Sequence, residues 1–288
     1  MTPHSPNPSD RPVATWPHGI GIGWRPEIAG LVSDLPGLGF CEVIAESVSR
    51  YPIEMLSALD VPVIPHGIGL SLGGAEPVTP ERISLLADCA ERLKSPLVSE
   101  HVAFVRAGGV EAEHLLPIPR SREALDVLTD NIRRTQDGLP VPLAVENIAT
   151  LFDWPDDEFS EGEFLAEVID RTDVHLLLDV ENVYACAKNR GTDPVRDLER
   201  LPHERIAYCH VAGGHMVDGR YHDTHTDPVP PDVLELVAQI AETGAAQAFM
   251  LERDGNFPPA RELLAELDAI ADAARMGRIT DGSRWWVA

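Results

Sequence analysis

The sequence is poor in positive charge, and this shortage limits its possible partners. Its 288 residues include 23 Lys and Arg against 47 Asp and Glu, which gives a formal net charge of −24. The two lysines, Lys94 and Lys188, are far apart, and no basic stripe runs along the chain. A protein of this charge repels phosphate backbones. We therefore expect no binding of nucleic acid.

Other features are also missing. No run of 18 apolar residues is present, so we expect neither a transmembrane helix nor a membrane partner. The four cysteines lack CxxC spacing, which favours buried, reduced thiols. Residues 1–16 are polar and proline-rich and lack the apolar segment of a secretion signal. These features predict a flexible N-terminal arm and a cytoplasmic protein.

Short apolar segments that end in histidine or a carboxylate are the main feature of the chain. They are Val61–His66, Pro96–His101, Pro142–Asn147 (where Asn147 follows the carboxylate Glu146), Val174–Asp179, Ile206–His210 and Ala248–Glu252. Continuous apolar runs are typical of parallel strands buried on both faces. Eight predicted strands alternate with eight predicted helices, which favours a single (β/α)8 TIM barrel over residues 17–288. A doubly wound open sheet is the alternative, but a barrel better explains polar strand ends that converge.

These strand ends, with an Asp-x-His pair in the polar loop after strand seven, predict a metal site at the C-terminal ends of the strands. The candidate ligands are His66, His101, Glu146, Asp179, His210, Asp223, His225 and Glu252. Imidazole and carboxylate ligands without thiolate suit Zn, Fe or Mn. Eight ligands are too many for one ion, so we expect two or three ions, with Glu146 able to bridge two. Candidates for supporting or substrate-contacting roles are Glu46, Glu100, Asn147, Asn182 and His215.

Several of these motifs resemble those of the multinuclear non-haem iron-dependent oxidative enzymes, TIM barrels related to xylose isomerase and endonuclease IV. The motifs are Pro65–Gly73, Ser99–His101, Val145–Asn147, Leu177–Tyr184, His210–Gly214 and Asp223–His225. The order of ligand types also resembles that of endonuclease IV, a trinuclear zinc enzyme. Asn182 stands where that enzyme has a histidine, as in the oxidative family, and the resemblance makes Asn182 a further candidate ligand. Glu46-Ser47 stands where the oxidative family usually has Glu-Asn.

The resemblance implies two or three iron ions of mixed Fe2+/Fe3+ valence, with O2 as cosubstrate. It implies oxidative modification of a ribosomally synthesised precursor peptide, at cysteine or another side chain. It also implies a small partner protein that presents the leader segment of the peptide. Glu146, Asp179 and His210 are then the expected catalytic residues.

Three alternatives stay open. One is a zinc-dependent endonuclease IV-like phosphodiesterase, which the net charge and Asn182 disfavour. Another is a divalent-metal sugar isomerase or epimerase, which would need a proton shuttle at the metal site, and neither lysine lies at a strand end. The last is a non-enzymatic metal-binding or scaffold protein.

Overall fold

A computed structural model describes residues 16–35 and 37–281 of the chain. Its strands are β1 (Gly19–Gly23), β2 (Phe40–Ile44), β3 (Val63–Gly67), β4 (Val98–His101), β5 (Phe104–Ala107), β6 (Val110–Leu116), β7 (Leu143–Glu146), β8 (His175–Asp179), β9 (Ile206–Val211), β10 (His215–Val217), β11 (Arg220–His222) and β12 (Ala248–Leu251). Eight of them form a closed parallel barrel in the order β1-β12-β9-β8-β7-β4-β3-β2. The predicted (β/α)8 barrel is thereby confirmed.

Helices pack around this barrel. They are α1 (Ala29–Ser33), α2 (Ile53–Ser57), α3 (Pro80–Leu93), α4 (Arg122–Gly138), α5 (Glu161–Thr172), α6 (Val180–Arg190), α7 (Pro194–Leu198), α8 (Pro231–Thr243) and α9 (Ala260–Ala273). Short 3₁₀ helices cover Pro26–Ile28, Ala45–Arg50 and His203–Arg205. None of the helices in the described ranges is long and apolar enough to cross a membrane.

Three elements differ from the sequence prediction. The segment before α4 contains the antiparallel hairpin β5–β6, which is not among the eight predicted strands. The polar loop from Gly213 to Asp227 contains a second hairpin, β10–β11. The prediction also omitted α6, which begins directly at the end of β8 because the Asp179 side chain accepts a hydrogen bond from the Asn182 backbone N–H and caps the helix.

Strand alternation explains where the polar residues lie. A small buried cluster fills the inside of the barrel: Phe40, Ile64, Leu97, Ala144, Leu177, Ala207, Tyr208, Ala248 and Met250. Side chains two positions apart on a strand point to the same side. Residues two positions after seven of these are polar and form the next interior layer: Glu42, His66, Ser99, Glu146, Asp179, His210 and Glu252. The apolar layer therefore supports a polar layer at the carboxyl end of the barrel.

Both chain ends fall partly outside this description. Of the predicted flexible arm, residues 1–15 lie outside the described residues, as do Pro36 and residues 282–288. Trp16 is described, and its ring packs edge-on against His175 with centroids 4.7 Å apart. The four cysteines are free and buried, as the sequence predicts.

Candidate metal centre

The first group of candidate ligands comes from three neighbouring strands. His66 is the penultimate residue of β3, His101 ends β4 and Glu146 ends β7, and all three side chains are buried. The His66 Nε2 and His101 Nε2 atoms are 3.3 Å apart. Glu146 Oε2 lies 3.4 Å from His66 Nε2 and 3.3 Å from His101 Nε2. The three donor atoms thus form a nearly equilateral triangle.

The second group uses the other oxygen of Glu146. His210 Nδ1 lies 3.4 Å from Glu146 Oε1, 3.9 Å from Asp179 Oδ2 and 2.8 Å from Glu252 Oε2. Asp179 ends β8 and Glu252 follows β12 directly. Because Oε1 and Oε2 of Glu146 face different groups, this carboxylate lies between them in the position of a bridging ligand.

A third group forms where the loop after β11 approaches the barrel. His225 Nε2 lies 2.5 Å from Asp223 Oδ1 and 3.9 Å from Glu181 Oε2. On its other side, His225 Nδ1 lies 3.6 Å from Glu252 Oε1 and 3.1 Å from Asp254 Oδ2. The Asp-x-His pair therefore lies beside the strand-end residue Glu252. Glu181, which no sequence argument singled out, also lies beside the pair.

Backbone and arginine contacts orient these carboxylates. Asp179 Oδ1 accepts a hydrogen bond of 2.6 Å from the Asn182 N–H, so Oδ2 faces His210. The Asn147 side chain donates to the Asp179 carbonyl and accepts from the Asp179 N–H, which ties β7 to β8. Arg25 Nη2 lies 3.5 Å from Glu252 Oε1, which leaves Oε2 facing His210. In Asp179 and in Glu252, one oxygen is thus held while the other faces the donor groups.

The buried charges strongly perturb one another. Burial lowers the pKa of His210, but the carboxylates of Glu42, Glu252 and Glu146 outweigh it and raise the pKa well above its usual value. Burial lowers the pKa of His101 too, but Glu146 and Glu100 raise it overall to about 9.

The pKa values of two carboxyl groups are also raised, and there burial itself is the largest cause. Burial, followed by repulsion from Asp223 and Glu146, raises the pKa of Asp179 well above its usual value. Burial and the hydrogen bond with Asp223 raise the pKa of Glu181 to about 10. A divalent cation among these groups would relieve the repulsion.

The residues present fit a metal centre. Most of the buried side-chain polar atoms that make no well-aligned hydrogen bond within residues 16–35 and 37–281 belong to these groups: Glu146 Oε2, Asp179 Oδ2, Glu181 Oε2, Asn182 Oδ1, His210 Nδ1, Asp223 Oδ1, His225 Nε2 and Glu252 Oε2. Several of these atoms lie close to one another, but the contacts are poorly aligned for hydrogen bonds. Donor atoms about 2.1 Å from one ion at tetrahedral angles lie about 3.4 Å apart. The separations of 3.3–3.4 Å around His66, His101 and Glu146 match this spacing.

The predicted supporting residues occupy different positions. Glu46 Oε1 accepts from the Ile68 N–H at 3.1 Å beside the cavity. Glu100 Oε1 lies 3.3 Å from His101 Nδ1, while Oε2 accepts from the Leu70 N–H, so this carboxylate holds the imidazole. His215 lies on β10, half exposed and paired with Asp227 at 2.8 Å, away from the three groups. Its role in the site stays a prediction.

Sequence reasoning missed Glu42, which is fully buried and accepts a hydrogen bond of 2.9 Å from His210 Nε2. It lies inside β2 rather than at a strand end. The available signal was its charge within the apolar segment Phe40-Cys-Glu-Val-Ile44, two residues after the interior Phe40.

A cavity of about 1020 Å³ opens above the groups. His101, Glu146, Asn182, Asp223 and His225 line its base. Its walls come from β6 and from the loops after β7 and β11, and they carry both apolar and acidic side chains: Glu111, Glu113, Leu115, Leu116, Ile148, Leu151 and Phe152. At its rim, Trp154 donates a hydrogen bond of 3.0 Å to the Pro117 carbonyl and so joins the loop after β7 to the end of β6.

Solved structures with a similar fold support the barrel assignment. Endonuclease IV from Thermus thermophilus aligns with a TM-score of 0.59 and 18% identity, covering 89% of this chain and 99% of that protein. The 3-keto-D-glucoside 4-epimerase YcjR from E. coli aligns with a TM-score of 0.57 and 13% identity, covering 89% and 98%. At these identities the likeness concerns the fold alone.

Related sequences are closer. A UPF0276 protein of Streptomyces avermitilis is 51% identical over 263 residues, which are 88% of this chain, and the chain spans about half (54%) of that relative's length. A UPF0276 protein of Caulobacter vibrioides is 36% identical over 90% of this chain and 95% of its own length. A family model described as RiPP precursor modification enzyme MbnB/TglH/ChrH matches residues 19–275. RiPPs are ribosomally synthesised and post-translationally modified peptides, and this family implies metal use. With a match over most of its length, and with candidate metal-binding groups at the ends of its strands, the chain belongs to the MbnB/TglH/ChrH family of RiPP precursor modification enzymes.

Proposed function

We propose that the protein is a multinuclear iron-dependent enzyme that uses O2 to modify a ribosomally synthesised precursor peptide, at cysteine or another side chain. The observation that carries this proposal is the position of Glu146. Its two oxygens face two adjacent donor groups, each within 3.4 Å of a histidine nitrogen. Two ions held by one carboxylate are close enough to act on the same substrate.

The donor set is compatible with iron. His66, His101 and Glu146 would hold one ion, and Glu146, Asp179, His210 and Glu252 a second. Asp223 and His225, with Asn182 or Glu181 beside them, would hold a third. Imidazole and carboxylate ligands suit Fe, Mn and Zn, and a group of three protein donors leaves coordination positions open. Bound iron would supply the redox chemistry that an O2-dependent modification of a thiolate or carboxylate substrate needs.

The cavity supports a peptide substrate. Its volume of about 1020 Å³ is at the upper end of the range for small-molecule sites. Leu151, Phe152 and Trp154 are exposed on the loop after β7, and Met216 and Val217 on the β10–β11 hairpin. Arg220 on that hairpin donates to the Leu151 carbonyl, so the two apolar segments are joined. Exposed apolar patches of this kind mark surfaces that bind peptides or proteins.

The net negative charge of the protein also supports a peptide substrate. The net charge of −24 and the acidic cavity wall disfavour phosphate backbones, and they favour a peptide or a partner protein that carries positive charge. A small partner protein that presents the leader segment completes the proposal.

The test combines metal content with product mass. Protein purified without oxygen is analysed for metal, and iron-57-enriched protein is examined by Mössbauer spectroscopy. The iron-loaded protein is then mixed with O2, with the precursor peptide encoded beside its gene and with the small protein encoded nearby. We expect two or three irons per chain, part ferrous and part ferric, and an O2-dependent change in peptide mass. Asp179→Ala abolishes the mass change, whereas exposed Asp193→Asn retains it.

Other outcomes would replace the proposal. Stoichiometric zinc with cleavage of abasic DNA would indicate the phosphodiesterase. Sugar isomerisation activated by Mn2+ or Co2+ would indicate the isomerase. Iron-loaded protein that leaves the peptide mass unchanged in every combination would refute peptide oxidation.

A further inference from the structure

Beneath the donor groups, three buried side chains connect two of the histidines. His66 Nδ1 lies 2.8 Å from Ser99 Oγ, and Ser99 Oγ lies 2.8 Å from Tyr208 Oη. Tyr208 Oη lies 2.6 Å from Glu42 Oε2, and the same oxygen lies 2.9 Å from His210 Nε2. Ser99, Tyr208 and Glu42 are fully buried. We call these three residues the anchor chain.

Proton counting fixes the direction of every hydrogen bond in the anchor chain. A carboxylate only accepts, so Glu42 receives hydrogen bonds from Tyr208 Oη–H and from His210 Nε2–H. The single proton of Tyr208 is then used, and its oxygen accepts from Ser99 Oγ–H. Ser99 in turn has no proton left for His66, so His66 Nδ1–H must donate to Ser99 Oγ. All donors along the chain point towards Glu42.

This direction decides which nitrogen of each imidazole can bind a metal. His66 carries its proton on Nδ1, so the lone pair is on Nε2, the atom that faces His101 and Glu146. His210 carries its proton on Nε2, so the lone pair is on Nδ1, the atom that faces Glu146 and Glu252. One carboxylate therefore sets the tautomers of histidines in two different donor groups.

We propose that Glu42, Tyr208 and Ser99 are positioning residues that prepare the first and second donor groups together, with Glu42 as their common anchor. The inference rests on the proposed metal centre but not on iron, O2 or the peptide. Residues that receive the second N–H of a metal-binding imidazole orient the ring and increase its basicity. A chain of such contacts ending on one carboxylate makes the affinities of two ions depend on Glu42, although it touches only His210 of the two histidines.

A graded set of variants tests this dependence. Glu42→Gln keeps the shape of the side chain but removes its charge. Tyr208→Phe removes the hydroxyl in the middle of the anchor chain, and Ser99→Ala removes the hydroxyl that contacts His66. Ser95→Ala is the matched control, because Ser95 is a buried serine whose hydroxyl donates to the Leu97 carbonyl outside the chain. Each protein is titrated with Co2+ against a competing chelator, and the visible Co2+ spectrum reports ligand geometry directly.

We expect Glu42→Gln to lower the affinity for each of two Co2+ ions by about 10–100-fold and to shift the visible spectrum at both binding steps. Ser99→Ala weakens one ion. Tyr208→Phe also weakens the ion held by His66, although Tyr208 makes no hydrogen bond to His66. The His66 and His210 rings also touch edge to face, with centroids 5.4 Å apart, and Tyr208→Phe does not alter either ring. A loss of Co2+ affinity in this variant would therefore come from the broken hydrogen bonds of the anchor chain. Ser95→Ala leaves all steps unchanged.

Two results would overturn the inference while leaving the metal centre intact. One is that the wild-type protein binds Co2+ but Glu42→Gln lowers its affinity for only one ion. The other is that Tyr208→Phe has the same Co2+ affinities and the same visible Co2+ spectrum as the wild type. A wild-type protein that binds no divalent ion would overturn this inference and the proposed function together. Normal Co2+ results without peptide oxidation would overturn the function alone.

Discussion

Replacing Asp179 by asparagine is expected to change stability in opposite directions with and without metal. Asp179 is fully buried, and burial together with the Asp223 and Glu146 carboxylates raises its pKa well above the usual value. Without a cation, this carboxyl group therefore destabilises the fold at neutral pH. Asparagine keeps an oxygen that can accept the 2.6 Å hydrogen bond from the Asn182 N–H, so α6 remains capped.

The two effects have comparable size. Replacing buried ionic groups by well-packed neutral side chains stabilises proteins by up to about 4 kcal/mol, so metal-free Asp179→Asn is expected to be more stable than wild type within that range. With free metal at 100 times the dissociation constant, binding stabilises the wild type by about 2.7 kcal/mol per ion. Each tenfold loss of affinity removes about 1.4 kcal/mol of that gain from the variant. At 1,000 times the dissociation constant, a variant that no longer binds this ion forgoes about 4.1 kcal/mol, so this excess of metal reverses the order of stability.

The pH dependence has a defined sign. The pKa of an aspartate carboxyl group is about 4 in the unfolded chain and is higher in the folded protein for Asp179. The free energy of unfolding therefore falls as pH rises from about 4 towards the folded-state pKa, because the unfolded chain loses this proton first. In chelator, the advantage of Asp179→Asn should therefore grow with pH across this interval.

Urea denaturation in chelator and in excess Mn2+ measures both orders of stability. Asp193→Asn is the control, since Asp193 also caps a helix through a 3.1 Å bond to the Val195 N–H but lies on the surface. Its stability should change little in either condition. If Asp179→Asn is less stable than wild type in chelator at pH 7, the electrostatic reasoning is refuted.

Three further predictions concern the bridge, the rim and the barrel interior. Glu146→Gln should lower metal content by more than one ion per chain in elemental analysis, because both oxygens face donor groups; loss of a single ion would contradict bridging. Phe152→Ala should raise the KM for the precursor peptide with metal content unchanged, since Phe152 is exposed on the cavity wall; an unchanged KM would remove the rim from peptide binding. Gly21→Ala should destabilise the barrel by about 1–3 kcal/mol in urea denaturation, because an added Cβ would lie 2.6 Å from the Phe40 ring. Gly30→Ala, where no atom lies within 4 Å of an added Cβ, is the control, and equal effects would contradict the packing argument.

The barrel was predictable because its strands are buried on both faces. Such strands form continuous apolar runs, and their polar ends are conspicuous against that background. His66, His101, Glu146 and Asp179 each end an apolar run, and the structure brings them into adjacent groups. Parallel strands in one barrel must place their carboxyl ends together, so sequence order alone was enough to predict their convergence.

The hairpins were not predictable, because tertiary contacts stabilise them. β6 reads Val-Glu-Ala-Glu-His-Leu-Leu and has no buried face of its own. Its partner β5 is held through Arg106, which donates two hydrogen bonds of 2.7 Å to the Gly69 and Leu70 carbonyls. A sequence pattern reports burial, and contacts between a side chain and a distant backbone leave no periodic signal.

Glu42 was missed for a related reason: its importance comes from which strand lies opposite, a property of barrel closure rather than of β2. The centre also needs more than ligands at strand ends, because closely packed carboxylates would push one another apart. Asp179 holds α6 through Oδ1, Glu252 meets Arg25 through Oε1, and Glu100 is held by the Leu70 N–H. Because each such contact fixes one oxygen, repulsion cannot rotate the carboxylate away from the site. The fold therefore keeps the donor atoms assembled against their own repulsion, so that a cation can bind without reorganising the barrel.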